Sequence, residues 1–174
     1  LYQSSSNVPT IKSIVENKPV GLCHINALKL GATSQLLITI DNTKALYDMQ
    51  SQQLIWQENI ANTDLVLSSD TLLKGDYVGV VTTNLQGVVT ASRAINNQMQ
   101  QVWSQQLDNT NYHTVQLSNG ILVYSNEGDV RLLNLASGQQ IWRLNKHGAV
   151  ASVLANENEA FISTVSGKLL KISM

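Results

Sequence analysis

The chain has 174 residues, 11 Lys plus Arg against 12 Asp plus Glu, and a net charge of −1 at pH 7. That balance excludes the basic footprint that nucleic acid or an anionic membrane surface requires. The length is enough to bury about 70% of the unfolded surface, so a core can form without staples, and the single Cys23 excludes an internal disulfide.

In chain order, "LYQSSSNVPT", Leu1 to Thr10, lacks the basic start, apolar core and cleavage site of a signal peptide. It also lacks an initial Met, so the chain is expected to be a processed or trimmed product, with any targeting or lipid-attachment segment lost before Leu1. The run Ser6 to Glu16 alternates and contains Pro9, which suits an outermost strand. Residues 1–19 are therefore expected to form an extended closing segment. From residue 20 onward the chain reads as short strands and tight turns, with no helix. "QLLITI", "DYVGVV", "GILVYS" and "EAFIST" are strand-length aliphatic runs, each ending in a turn signal. "KALYDM", "VVTASRAI", "VRLLNLA" and "KLLKISM" follow as second strands, then "QQLIWQENI", "QQVWSQQL" and "QQIWRLN" as third strands. Less regular strands such as "YHTVQLS" and "AVASVLAN" precede the units. The uncharged run Tyr77 to Ser92 is interrupted by Thr, Asn, Gln and Gly and is shorter than the ~20 apolar residues of a membrane span. The runs alternate too little for a sheet with one wet face, and sheets stacked face to face produce such sequences.

These strands repeat. Asn42, Gly87, Gly128 and Gly167 occupy one turn position and lie 45, 41 and 39 residues apart, the period of a four-stranded propeller blade. From that turn to the Trp is 14 residues for Trp56 and Trp142 and 16 for Trp103. The middle copy thus carries a two-residue insertion, placed in "AINNQMQQ". The predicted fold is an all-β propeller of about four blades, near 20–60, 61–108, 109–146 and 147–174, with the last blade one strand short. Ser6 to Glu16 is expected to supply that missing strand, either to its own blade or across two copies.

The third repeat carries Gly128, Val130, Leu133, Asn134, Ser137, Gly138 and Trp142 in order, and this pattern resembles the repeat of quinoprotein-like β-propellers. The first repeat keeps Asp48, Ser51 and Trp56 but has Asn42 and Gln52 in place of glycine. Asn tolerates the left-handed conformation; the turn at Gln52 is expected to be built differently. The resemblance covers Leu36 to Met174. It implies a ring of seven or eight blades, hence an assembly with another copy or another propeller segment.

The residues with chemical potential are few. Trp56, Trp103 and Trp142 could stack on a quinone, but they recur at one place in every complete repeat, as packing residues do. Each is expected to fill the space between blades and bury on the order of 200 Å², with Trp142, in the best-formed repeat, deeply buried. Asp48 and Asn134 are expected to accept backbone N–H groups in Asx-turns. Cys23 beside His24 lacks the further ligands a Zn site needs, since His113 and His147 lie in other repeats. Glu157 and Glu159 flank an Asn at what reads as a solvated tip.

Members of that family that act as enzymes hold the quinone in a full ring with bound Ca²⁺, carboxylate and amide ligands and a catalytic aspartate. About half that ring is present, without the adjacent cysteine pair of many members. No Ser/His/Asp grouping or phosphate-cradling loop appears in the sequence. The expectation is a non-catalytic scaffold without cofactor or metal that binds other proteins, in a periplasmic or extracellular bacterial envelope or secretion assembly. Among non-enzymatic relatives, the propeller lipoproteins of outer-membrane assembly are the nearest class. The alternatives are a fragment of a quinone-dependent dehydrogenase and an intracellular WD-type scaffold, though "IWQ", "VWS" and "IWR" lack the Asp of the latter. Candidate partner loops are Asn97, Gln98, Met99 and Gln100 with Gln101, at the insertion, and Leu107 to His113, where Asn111, Tyr112 and His113 mix an aromatic with small polar residues.

Overall fold

The computed structural model describes residues 23–30, 33–40, 43–61, 66–74, 77–96, 98–108, 111–145, 147–156 and 158–173. Residues 1–19, Asn42, Asn97 and Glu157 therefore lie outside the described residues, as does the side chain of Cys23.

The described residues form fifteen strands in four antiparallel sheets, each a simple meander. Blade 1 contains β1 (Cys23–Leu30), β2 (Thr33–Ile40), β3 (Thr43–Asp48) and β4 (Gln53–Asn59). Blade 2 contains β5 (Val66–Lys74), β6 (Tyr77–Asn84), β7 (Val88–Ile95) and β8 (Gln98–Gln106). Blade 3 contains β9 (Tyr112–Leu117), β10 (Gly120–Ser125), β11 (Val130–Asn134) and β12 (Gln140–Leu144). Among the described residues blade 4 has β13 (Val150–Ala155), β14 (Glu159–Thr164) and β15 (Leu169–Ser173).

The blades stack face to face, and a separate apolar cluster fills each interface. Leu37 and Leu46 of blade 1 meet Val80 of blade 2, with Trp56 and Met99 packed around them. Val81, Ala91 and Trp103 of blade 2 meet Ile121, Val123 and Leu133 of blade 3. Leu122 and Leu132 of blade 3 meet Ala160 and Ile162 of blade 4. A blade with neighbours on both sides must be apolar on both faces. Hence Gly120 to Val123 are buried without alternation, whereas β15, with a described blade on one side, alternates strictly between exposed and half-buried. Full burial of Leu or Ile side chains contributes about 1.5–3 kcal/mol each, so these interfaces hold the stack together.

Two local devices repeat with the blades. Gly87, Gly128 and Gly167 all have positive φ and donate their N–H to the carbonyl three residues earlier, Asn84, Ser125 and Thr164 respectively. In each complete blade the third and fourth strands also shift register at one place, after Leu46, Ala91 and Leu132, and those residues sit opposite Trp56, Trp103 and Trp142. A bulge there re-aims the strand that carries the Trp.

The turn at Gln52 corrects one expectation. Asp48 Oδ1 accepts from the N–H groups of Gln50 and Ser51 and from the Ser51 hydroxyl, and Gln52 then takes φ 57°. Asn134 Oδ1 accepts from Ala136, Ser137 and the Ser137 hydroxyl in the same way, with Gly138 at φ 71°. The two turns are built alike: the Asx hydrogen bonds hold the backbone firmly enough for Gln52 to adopt a left-handed conformation that costs roughly 1–2 kcal/mol.

Candidate functional site

Charged side chains converge at one boundary, between blades 2 and 3. Register places Arg131 on β11 directly opposite Arg143 on β12, a pairing of like charges that destabilises a sheet unless countered. Two carboxylates counter it. Asp129, buried just before β11, accepts from Arg131 Nε at 2.9 Å and Nη2 at 2.7 Å, and from Arg143 Nε at 2.8 Å. Asp108, in the connection leaving blade 2, accepts from Arg131 Nη2 at 2.8 Å and Arg143 Nη1 at 2.7 Å. Tyr112 donates its hydroxyl to Asp129, and the Arg131 guanidinium lies 5.9 Å from the Tyr112 ring centre.

The electrostatics follow from these contacts. Burial, the largest influence on Asp129, pushes its carboxyl up, but hydrogen bonds from Arg131, Tyr112 and Arg143 outweigh it and hold the group below the usual carboxylate range. Asp108 is lowered chiefly by its bond to Arg131 and that residue's charge, then by Arg143. Arg131, although buried, is raised above its ordinary value by Asp129 and Asp108. Two cations and two anions are thus mutually saturated. The arrangement clamps the exit of blade 2 to the outer half of blade 3, and both of its carboxylates are already engaged by arginines.

Several predicted site residues fall elsewhere than expected. Tyr112 is not a recognition side chain on a loop: it is fully buried at the start of β9, where its hydroxyl reaches Asp129. His113 is half-buried on β9, with its ring 5.4 Å from that of Tyr124, and only Asn111, exposed at φ 59°, lies in the connection itself. Gln98, Met99 and Gln100 belong to β8, because the β7–β8 ladder runs as far as Ile95 opposite Gln98. Met99 packs with Trp56 at the interface between blades 1 and 2. Asp129 and Arg131 were missed because nothing in "GDVRLLN" distinguishes an inward-facing charge from a solvated one. Their alternation, two residues apart across the start of β11, was the available signal.

The three tryptophans differ in depth. Trp103 is 8% exposed and donates its indole N–H to Leu135 O in blade 3 at 2.9 Å. Trp56 is half-buried, and its indole N–H meets no acceptor among the described residues. Trp142, expected to be deeply buried, is half-buried and lines an open groove with Leu144, His147, Leu170 and Ile172 along β15. Among the described residues blade 4 has three strands, and none of them pairs with the outer edge of β15 beside the groove. Beyond it, Leu154 is 73% exposed, Val165 73% and Leu169 70%, all in blade 4.

No family model matches the chain, and no curated protein sequence does. Solved structures do. BamB from Moraxella catarrhalis superposes with a TM-score of 0.58 at 20% identity, covering 80% of this chain and 40% of that one. BBS1N, solved in complex with ARL6DN, gives 0.67 at 11% identity, covering 86% of this chain and 50% of that one. The β-propeller domain of Cps50 (Swd1) from Myceliophteria thermophila gives 0.64 at 10% identity, covering 87% and 54%. The chain thus spans about half the length of these structures. At such identities the likeness concerns the fold alone, and that fold is the β-propeller.

Proposed function

We propose that this chain is a non-catalytic β-propeller module that binds other proteins within a bacterial envelope or secretion assembly. The observation that carries this reading is that the three most exposed large apolar side chains among the described residues, Leu154, Val165 and Leu169, all belong to blade 4. Large apolar side chains exposed within one blade are a feature of protein contact surfaces. The charged cluster supports the same reading from the other direction, since Asp108, Asp129, Arg131 and Arg143 are engaged with one another. The propeller neighbours fit an interaction role, and BBS1N was solved bound to another protein. The likeness to BamB and the resemblance of the repeat to propeller lipoproteins support the envelope setting.

Affinity isolation of the tagged chain from its native host, after mild crosslinking, tests the proposal. A small set of envelope proteins recovered in fixed proportion is expected. Recovery of the chain alone, together with saturable calorimetric binding of pyrroloquinoline quinone and Ca²⁺, would replace the scaffold reading with a quinoprotein one.

A further inference from the structure

We propose that Arg131 and Arg143 form a receptor for a carboxylate from an acidic segment of a partner protein, with Asp108 filling that place as a displaceable latch; this rests on the interaction-module reading above. The repeat does not need the two arginines. At the same cross-strand position blade 1 pairs Ala45 with Gln57, and blade 2 pairs Thr90 with Ser104, whose hydroxyls meet at 3.2 Å. Blade 3 sets Arg131 opposite Arg143 there. Neutral pairs thus close the same step of the sheet twice, and a buried ion pair is often no better for stability than the neutral residues that could replace it. The charges have a role beyond joining blades.

Blade 3 itself supplies two cations and one anion at this place, a surplus charge of 2 − 1 = +1. Asp129 is the inner counterion, with its side chain 4% exposed and both arginines donating to it. Asp108 brings the second carboxylate from the connection and is held differently. Its side chain is 63% exposed, and one oxygen, Oδ2, accepts from both Arg131 Nη2 at 2.8 Å and Arg143 Nη1 at 2.7 Å. Its other oxygen and Arg143 Nη2 meet no partner among the described residues. An ion pair this open to water is worth little, so its exchange for an incoming carboxylate costs little. The newcomer takes the donors that Asp108 releases and gains Arg143 Nη2, which completes the bidentate arrangement a guanidinium favours.

The contents of the site define the ligand. A carboxylate oxygen already fits between the two guanidinium groups, and one negative charge balances the surplus. A phosphate group carries close to two negative charges at neutral pH, which exceeds that surplus beside the buried Asp129. The occupant is therefore an aspartate or glutamate side chain in an exposed acidic segment.

The probe is hexaglutamate, titrated into the full chain at constant ionic strength while the Nε–Hε NMR signals of Arg131 and Arg143 are followed. Both signals should shift saturably, and hexaglutamine should shift neither. Asp108→Asn removes the competing charge at an exposed position and should tighten binding about fivefold, while Glu58→Gln on β4 should leave it unchanged. Arg143→Gln should abolish the response at Arg131. No saturable shift in either the native chain or Asp108→Asn, or equal affinity of the two, would overturn the proposal. Tighter binding of inorganic phosphate than of hexaglutamate would overturn the carboxylate assignment. A gain in affinity on deleting residues 1–16 equal to that of Asp108→Asn would give the place to this chain's own Glu16 and overturn the partner segment. A folded Arg143→Gln variant that retained every protein isolated with the native chain would overturn the receptor and leave the interaction reading standing.

Discussion

The indole N–H of Trp103, on the outermost strand of blade 2, donates to the carbonyl of Leu135 in the turn before the outermost strand of blade 3, at 2.9 Å. One side chain therefore supplies both apolar contact and a directed bond across the interface, and it satisfies its own buried donor. Trp103→Ala should lower stability by ~3–5 kcal/mol in urea unfolding, as loss of a large buried aromatic does. Trp142→Ala, where the ring is half-exposed in the groove, should cost about 1–2 kcal/mol by the smaller apolar area lost. Equal losses would show that the groove at Trp142 is closed.

Gly138 receives the face of the same indole. A methyl group added there would lie 2.5 Å from Trp103 Cε3, at a backbone φ of 71°. Gly167 has a similar φ of 81°, but nothing lies within 4 Å of an added methyl. Gly167→Ala should thus cost only the left-handed strain, roughly 1–2 kcal/mol. Gly138→Ala should add a packing clash of ~1–3 kcal/mol. Thermal melts of the two variants measure the difference, and similar melting temperatures would show that the Trp103 contact is loose.

Asp129 sets the acid limb of stability. Its carboxyl is held below its unfolded value, so its contribution is present above the unfolded pKa of about 4 and is lost as pH falls through the lower folded value. Stability should therefore decline below about pH 4 and steepen as Asp129 protonates. Asp129→Asn leaves Arg131 and Arg143 short of a buried anion and should cost ~3–5 kcal/mol at neutral pH. It should also flatten the acid limb. Urea midpoints measured from pH 7 to pH 2.5 check both effects, and an unchanged slope in Asp129→Asn would assign the acid sensitivity to other carboxylates.

Much of the fold was legible because it is written four times. The turn glycines Gly87, Gly128 and Gly167 and the position of each Trp recur at blade spacing, and periodicity does not depend on the propensity of any one residue. The Asx-turns at Asp48 and Asn134 were legible for the same reason. The Tyr112 region was not. A tyrosine among Asn and Thr reads as a polar connection until Arg131, nineteen residues later, is folded over its ring. Trp142 misled in the opposite direction: its repeat is the most regular, but its burial depends on a strand beyond β15, and none lies there among the described residues.

The central claim is that the exposed apolar residues of blade 4, Leu154 and Leu169 among them, are where this propeller meets another protein. A photoreactive benzoyl-phenylalanine placed singly at Leu154, at Leu169 and at exposed Gln52 in blade 1, and activated in the native host, tests it directly. The account predicts one discrete crosslinked protein, common to positions 154 and 169 and absent at position 52. No crosslink at the blade 4 positions, or the same diffuse products at all three, would contradict it.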